Sequence, residues 1–354
     1  MFAPHADLLS FRREFPQFES GIYLNNCSAG ALSERVCRAL GDFMEIWRRF
    51  GGRSRYADGG WLETIELARH RFARLIGASP HEIALAPNAS TALGVLASAI
   101  DHHHRDGIVT TQLDFPTVPH QWLAKAGSGV RCEIIADRGG VDVDLDLIAH
   151  AVTERTALVA TSRIFFASGY IQDVAEIARI AHRSGARILI DDYQATGLVP
   201  IDVKQLDVDF LITGTQKWLL GGPGLAFLYV REELHDLIPT VAGWFGHKRQ
   251  LEFIVDSFEP HSDARKYELG TPAIGAVYAA CAGLEMILEA QPQRIFERTR
   301  FLSDRLLDRL KSSGPTVKAI DDQKHRSSIV MAKSARAKQA VEDLAASGIV
   351  VDER

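Results

Sequence analysis

The sequence predicts an α/β fold: a mostly parallel sheet with helices on both faces, followed by a smaller α+β domain. Between about residues 80 and 230, short and nearly continuous apolar runs alternate with amphipathic stretches. Strands buried on both faces read in this way. After about residue 270 the texture changes to two long helical patterns and then short strands. A chain of 354 residues is also long for one core, which favours one large and one small domain.

The apolar runs are EIALAP (82–87), GIVTT (107–111), RCEIIA (131–136), TALVATS (156–162), RILIDD (187–192), DFLITG (209–214) and LAFLYV (225–230). Helical spacing marks 90–100, 116–127, 144–152 and 173–185 between them. The last of these begins with an aspartate and ends with a glycine, as capped helices do. Beyond residue 270, AIGAVYAACAGLEMILEA and RIFERTRFLSDRLLDRLKSS read as long helices. Short strands are expected at 316–319 and 327–331, a helix near 335–346 and a last apolar run at GIVV. The expected division is an N-terminal segment over 1–25 that contacts the small domain, a large domain over 26–265 and a small domain over 266–354.

Net charge is −5 with both signs interleaved. No basic block or aromatic-basic stripe offers a nucleic-acid surface. The opening MFAPHADLLSFRREFPQF carries acids and lacks the apolar run of a signal peptide. No stretch approaches the roughly 18 apolar residues of a membrane helix, so a cytoplasmic protein with no membrane partner is expected. Cys27, Cys37, Cys132 and Cys281 show no CxxC spacing, which supports neither a zinc site nor a disulfide framework. His102, His103 and His104 read as a solvated loop, because three adjacent side chains cannot all face one ion. No metal is expected.

Ligands of open α/β sheets bind beyond the carboxyl ends of the strands, so residues directly after each apolar run matter most. Lys217 follows DFLITG in TGTQKWLLGGPG. A lysine at a strand end is ordinarily solvated; beside Trp218 and a glycine-rich turn its amine loses a proton more readily and forms imines. Asp191 ends RILID, where a carboxylate has no packing role. Either Asp191 or Asp192 could instead cap the following turn, and an exchange of the two roles stays open. Gln194 lies three residues on. PNASTALG (87–94) opens a helix, where Ala89, Ser90 and Thr91 form either a phosphate cradle or simply a good N-cap. Phe115, in LDFPT, is placed to stack on a planar ligand or to join the core. An imine-forming amine, an anion to keep a pyridine nitrogen protonated, a phosphate cradle and a stacking ring together describe a site for pyridoxal 5′-phosphate (PLP).

The order of these pieces resembles the class V aminotransferase group of fold-type I PLP enzymes along nearly the whole chain. That group includes cysteine desulfurases, selenocysteine lyases and kynureninases. YLNNCSAGAL, FPT at 115–117, KWLLGGPG at 217–224, GWFGH at 243–247 and ELGTPAI at 268–274 look most like kynureninase. The resemblance implies a seven-stranded sheet in the large domain. It makes Lys217 the Schiff-base lysine, Asp191 the pyridine-nitrogen partner and Gln194 the group on the ring oxygen. Phe115 matches the stacking aromatic, and Ser90 and Thr91 the phosphate loop, to which Thr215 and Gln216 are often added. Trp244 and Thr271 match positions that reach the phosphate from a neighbouring subunit, which implies an obligate homodimer with shared sites. Asn26 and Ser28 match a loop near the substrate carboxylate.

Departures from the family's pattern shape the functional expectation. Gln216 stands where desulfurases carry His and kynureninases Tyr. Phe165 and Phe166 in SRIFFASG replace an Asn-Tyr pair. The sequence ends in VVDER, ahead of the arginine strand and final helix that the family carries, and no cysteine sits where a desulfurase has its persulfide nucleophile. The expectation is an enzyme acting on a small amino acid through an external aldimine, with Lys217 removing the Cα proton and side-chain cleavage as the outcome. The Cβ–X lyase and the kynureninase-like hydrolase both stay open. The alternatives are a true aminotransferase and a C-terminally truncated, catalytically impaired PLP-fold binding protein.

Overall fold

A computed structural model of the chain describes residues 4–314, 316–317, 320 and 322–353. Its centre is a seven-stranded sheet. The strands are β2 (Ile83–Ala86), β3 (Gly107–Thr111), β4 (Arg131–Ile135), β5 (Thr156–Ser162), β6 (Arg187–Asp191), β7 (Phe210–Gly214) and β8 (Ala226–Val230). They lie in the order β2-β8-β7-β6-β5-β3-β4. All pairs are parallel except those of β8, which runs antiparallel between β2 and β7. Every residue of β2, β5, β7 and β8 is buried, as unbroken apolar runs require of strands covered on both sides.

Helices cover both faces. On one lie α4 (Ala89–Ala97) and α5 (Thr117–Leu123), burying Leu93, Leu96, Val118 and Trp122 against Leu158, Leu189 and Leu228. The opposite face takes α3 (Trp61–Ile76), α6 (Leu145–Ala151), α7 (Val174–Arg183) and α8 (Ile274–Ala290). There Phe72 stacks on Phe227 with ring centroids 4.2 Å apart. Complete burial of such a ring is worth about 1.5–3 kcal/mol. Two helices escaped the sequence reading: α2 (Glu34–Phe50), capped by Ser33, and α3, ended by Gly77 at φ 72°. Both pack on α8.

The small α+β unit consists of α9 (Pro292–Ser313), β9 (Thr316–Val317), β10 (Ala332–Lys333), α10 (Ala337–Ala346) and β11 (Ile349–Val350). The N-terminal segment holds α1 (Gln17–Ser20) and β1 (Ile22–Tyr23). β1 pairs in parallel with β11, so this segment contacts the small unit. Helix α8 shares the core of the sheet. The strand expected at 327–331 lies instead at β10. Ile329 is buried beside Ile164, with Trp218 packed against the same cluster, and the Ser327 amide donates to Gly169 O rather than to a strand partner. The strand expected at 316–319 is β9, with residues 318 and 319 outside the described residues.

Candidate active site

The carboxyl ends of β2, β3, β5, β6 and β7 open on one cavity of about 240 Å³. Its wall includes Asn88, Ala89 and Ser90 after β2, Phe115 and Thr117 after β3, and Ser162, Ile164 and Phe166 at and after β5. Asp191, Tyr193 and Gln194 come from the end of β6, and Gln216 and Lys217 from the turn after β7. Short parallel strands with tight turns deliver all of them to the same edge.

The Lys217 amine lies 4.8 Å from the centroid of the Tyr193 ring and 5.7 Å from that of Phe115. Phe115 is held edge-to-face against Phe166, with centroids 5.3 Å apart. Asp191 is buried and accepts the Tyr193 amide at 3.0 Å. Burial above all lifts its carboxyl to a pKa of about 7; the nearby Asp114 and Asp192 push it the same way, while the Tyr193 amide and Lys217 oppose them. Asp192 has a different occupation. Arg163 grips both its oxygens at 2.6 and 2.8 Å, and Thr196 donates to it as well. Asp191 thus lines the cavity, and Asp192 belongs to a buried ion pair.

At the N-terminus of α4, Asn88 accepts the Thr91 amide at 2.8 Å and the Thr91 hydroxyl at 3.1 Å. Thr91 is thus turned to the cap and does not line the cavity, whereas Ala89 and Ser90 do. Ser90 Oγ lies 3.0 Å from Thr117 Oγ1. Thr215 is also away from the cavity: fully buried, it donates to Gly222 O and Leu225 O and so ties the turn after Lys217. That turn needs unusual backbone, with Leu220, Gly222 and Gly224 at φ 56°, 69° and 105°.

The loop 25–30 lies over the site. Gln194 donates to Cys27 O at 3.0 Å, Gln216 donates to Ser28 O at 3.2 Å, and the Gly30 amide donates to Gln216 O at 2.7 Å. Ser28 donates to Asp352 beyond β11. Asn26 is half-buried in the same loop. Trp244 and Thr271 are both exposed and absent from the cavity wall. They lie together near Gly270, with Trp244 on the rim of a shallower groove of about 510 Å³. That groove's wall includes no lysine, whereas the smaller cavity is lined by both Lys217 and Asp191.

Sequence reasoning missed several residues. Tyr193 fits only because position 214 is glycine, since a Cβ there would collide with its ring. Asp114 is buried and joins the ends of β3 and β5 by accepting from Thr111, Thr161 and Ser162, with burial raising its pKa. Its place beside Phe115 was the one available signal. The histidine tract splits: His103 and His104 are exposed, while His102 packs edge-on against Trp122 at 6.1 Å. No metal-binding cluster of His, Cys, Asp or Glu exists among the described residues. Among them, too, no single helix is long and apolar enough to cross a membrane.

The Aminotransferase class-V family model matches residues 22–353. The chain belongs to this family. The uncharacterised aminotransferase YcbU of Bacillus subtilis is 38% identical over 281 residues, 78% of this chain and 72% of that protein. Kynureninase of Bacillus anthracis is 28% identical over 366 residues, 99% of this chain and 85% of the enzyme. In fold, the chain matches cysteine desulfurase from Thermococcus onnurineus with a TM-score of 0.85, 24% identity and coverage of 99% and 88%. The cystine C–S lyase C-DES matches with a TM-score of 0.85 at 21% identity, covering 96% and 92%.

Class V aminotransferases are PLP-dependent enzymes, and the cavity fits that cofactor. Asp191 is a buried carboxyl whose hydrogen bond, among the described residues, comes from one amide. A cationic ring N–H would supply a further donor and a positive charge beside this carboxyl. An amine, a ring face and a helix N-terminus stand around it.

Proposed function

We propose that this family member is a PLP-dependent enzyme that cleaves the side chain of a small amino acid at Cβ. The observation that carries the reading is the amine of Lys217 facing the same small cavity as Asp191, beside the Phe115 ring. Bound PLP supplies the electron sink for charge developing at the substrate's Cα.

The chain's own groups do the rest. Asp191, ionised against the ring nitrogen, holds that nitrogen's proton. Phe115 fixes the plane on one face. The first-turn amides of α4, at Ala89 and Ser90, bind the phosphate through the positive end of the helix. Gln194 offers an amide donor to the ring oxygen. Lys217 would hold the cofactor through its amine, and its Nζ, when free, would take the substrate's Cα proton. Among the cavity-lining residues, Lys217, Asp191 and Tyr193 are the titratable ones, and Lys217 is the base. The loop 25–30, with Asn26 and Ser28, excludes water and borders the substrate carboxylate. Support for cleavage comes from similarity to kynureninases along 99% of the chain and from the apolar wall of Ile164 and Phe166. Trp244 and Thr271 serve the site of a second copy, so that the working unit is a homodimer. The exposed Trp47, Phe253 and Val255 supply apolar surface for that contact.

The test begins with colour. Protein mixed with PLP turns yellow and loses the colour on borohydride reduction, and Lys217→Ala does neither; a colourless wild type defeats the reading. Alanine, cysteine and kynurenine are then supplied with and without a 2-oxo acid acceptor. Product formed without acceptor is the expected outcome. Product that requires the acceptor overturns cleavage in favour of transamination, the reading that the 38% identity to an aminotransferase supports.

A further inference from the structure

We propose that Trp218 is a positioning residue that fixes which end of the Gln194 amide faces the cofactor. This rests on the PLP reading above and concerns a residue that reading does not use. The amide of Gln194 is buried between two partners whose hydrogen-bonding roles cannot change. On one side the Trp218 indole Nε1–H donates to Oε1 at 2.9 Å. On the other, Nε2 donates to the carbonyl of Cys27 at 3.0 Å. An indole nitrogen only donates and a backbone carbonyl only accepts. Reversing the amide would set N–H against N–H and oxygen against oxygen, breaking both bonds at once in a residue only 4% exposed. One orientation survives, with the oxygen spent on Trp218 and one Nε2 hydrogen spent on Cys27.

The second Nε2 hydrogen remains for the cavity that Gln194 lines. Without the indole, only the Cys27 carbonyl would orient the amide, and its oxygen could turn toward the ring oxygen as an opposed acceptor. Trp218 adjoins Lys217 in sequence and packs against the cluster of Ile164, Leu198 and Ile329, which fixes the indole. The device therefore passes from the small unit's Ile329 through Trp218 to one amide.

A donor on an anionic ring oxygen draws charge from it and makes the adjacent protonated Lys217 nitrogen easier to deprotonate. Losing the donor raises the pH at which the visible band of the yellow protein titrates. In Trp218→Phe, which keeps an aromatic ring and removes the N–H, we expect that midpoint to rise by about 0.5–1 unit with PLP still bound. Gln194→Leu should shift it in the same direction, and adding Trp218→Phe to Gln194→Leu should shift it no further. An unchanged midpoint in Trp218→Phe, or an equal additional shift in the Gln194→Leu background, overturns the proposal. If Trp218→Phe loses its cooperative melt, Trp218→Leu replaces it. That variant also lacks the indole N–H, so the midpoint must still rise, and a fixed midpoint is fatal. A wild type with no yellow band refutes the PLP reading itself, a distinct result.

Discussion

Asp191 and Asp192 are neighbours in sequence with opposite surroundings, and each makes its own prediction. Asp191 has a folded pKa near 7 against an ordinary 3.8. Across that window the native state binds more protons than the unfolded chain. Stability of the cofactor-free protein must then fall as pH rises from about 4 to 7 and level off above. Asp191→Asn removes the slope. At pH 8 the cofactor-free variant should be more stable than wild type, by at most about 4 kcal/mol, while binding PLP more weakly. Denaturant melts between pH 4 and 8, paired with PLP titrations, check both halves; parallel slopes for the two proteins would sink the assignment. Asp192 is the anion of a buried pair with Arg163, so Asp192→Ala should cost ~3–5 kcal/mol by stranding the guanidinium. Sequence found both carboxylates and could not divide their surroundings, because the division depends on Arg163, which directly follows the neighbouring strand β5. Thr91 and Thr215 show the same limit: each stands at the expected place in the chain, with its hydroxyl turned to local backbone or cap instead of the cavity.

At the scale of elements, the loop 25–30 and the turn after β7 are fitted to one another. A Cβ at Gly30 would fall inside contact distance of the Lys217 carbonyl. Gly30→Ala should therefore lift the loop, loosen PLP and cost about 1–3 kcal/mol, measured as faster cofactor loss on dialysis and a lower melting temperature. Gly214→Ala attacks from below by displacing Tyr193; it should weaken PLP while leaving α-helical circular dichroism in place. The strands of the sheet were legible almost residue by residue, since GIVTT and TALVATS are β3 and β5 without change. Continuous burial on two faces leaves few other readings of such runs. Helices α2 and α3 were not legible in the same way. They stack on α8 outside the strand–helix alternation, and Met44, Trp47 and Phe50 of α2 are exposed, so its apolar residues do not all report a core within the chain.

For the whole molecule, the proposed dimer yields a complementation test. Lys217→Ala and Trp244→Ala damage different components of a shared site. Mixed dimers keep one intact site in two, and half of all dimers are mixed after equal exchange. Activity near a quarter of wild type should return when the two inactive proteins are mixed. No recovery under conditions of proven subunit exchange would place Trp244 in its own chain's machinery. This arrangement was accessible only through family resemblance, because the cavity of a single chain contains neither Trp244 nor Thr271.

One strand has a broader consequence. β2, which leads into the α4 cradle, meets the sheet only along β8, and β8 follows directly from the turn that carries Lys217. The span between amine and cradle is thus gauged like the jaws of a caliper, with residues 215–225 as its screw. Lengthening or shortening that stretch would resize the ligand the protein admits while every reactive side chain kept its identity.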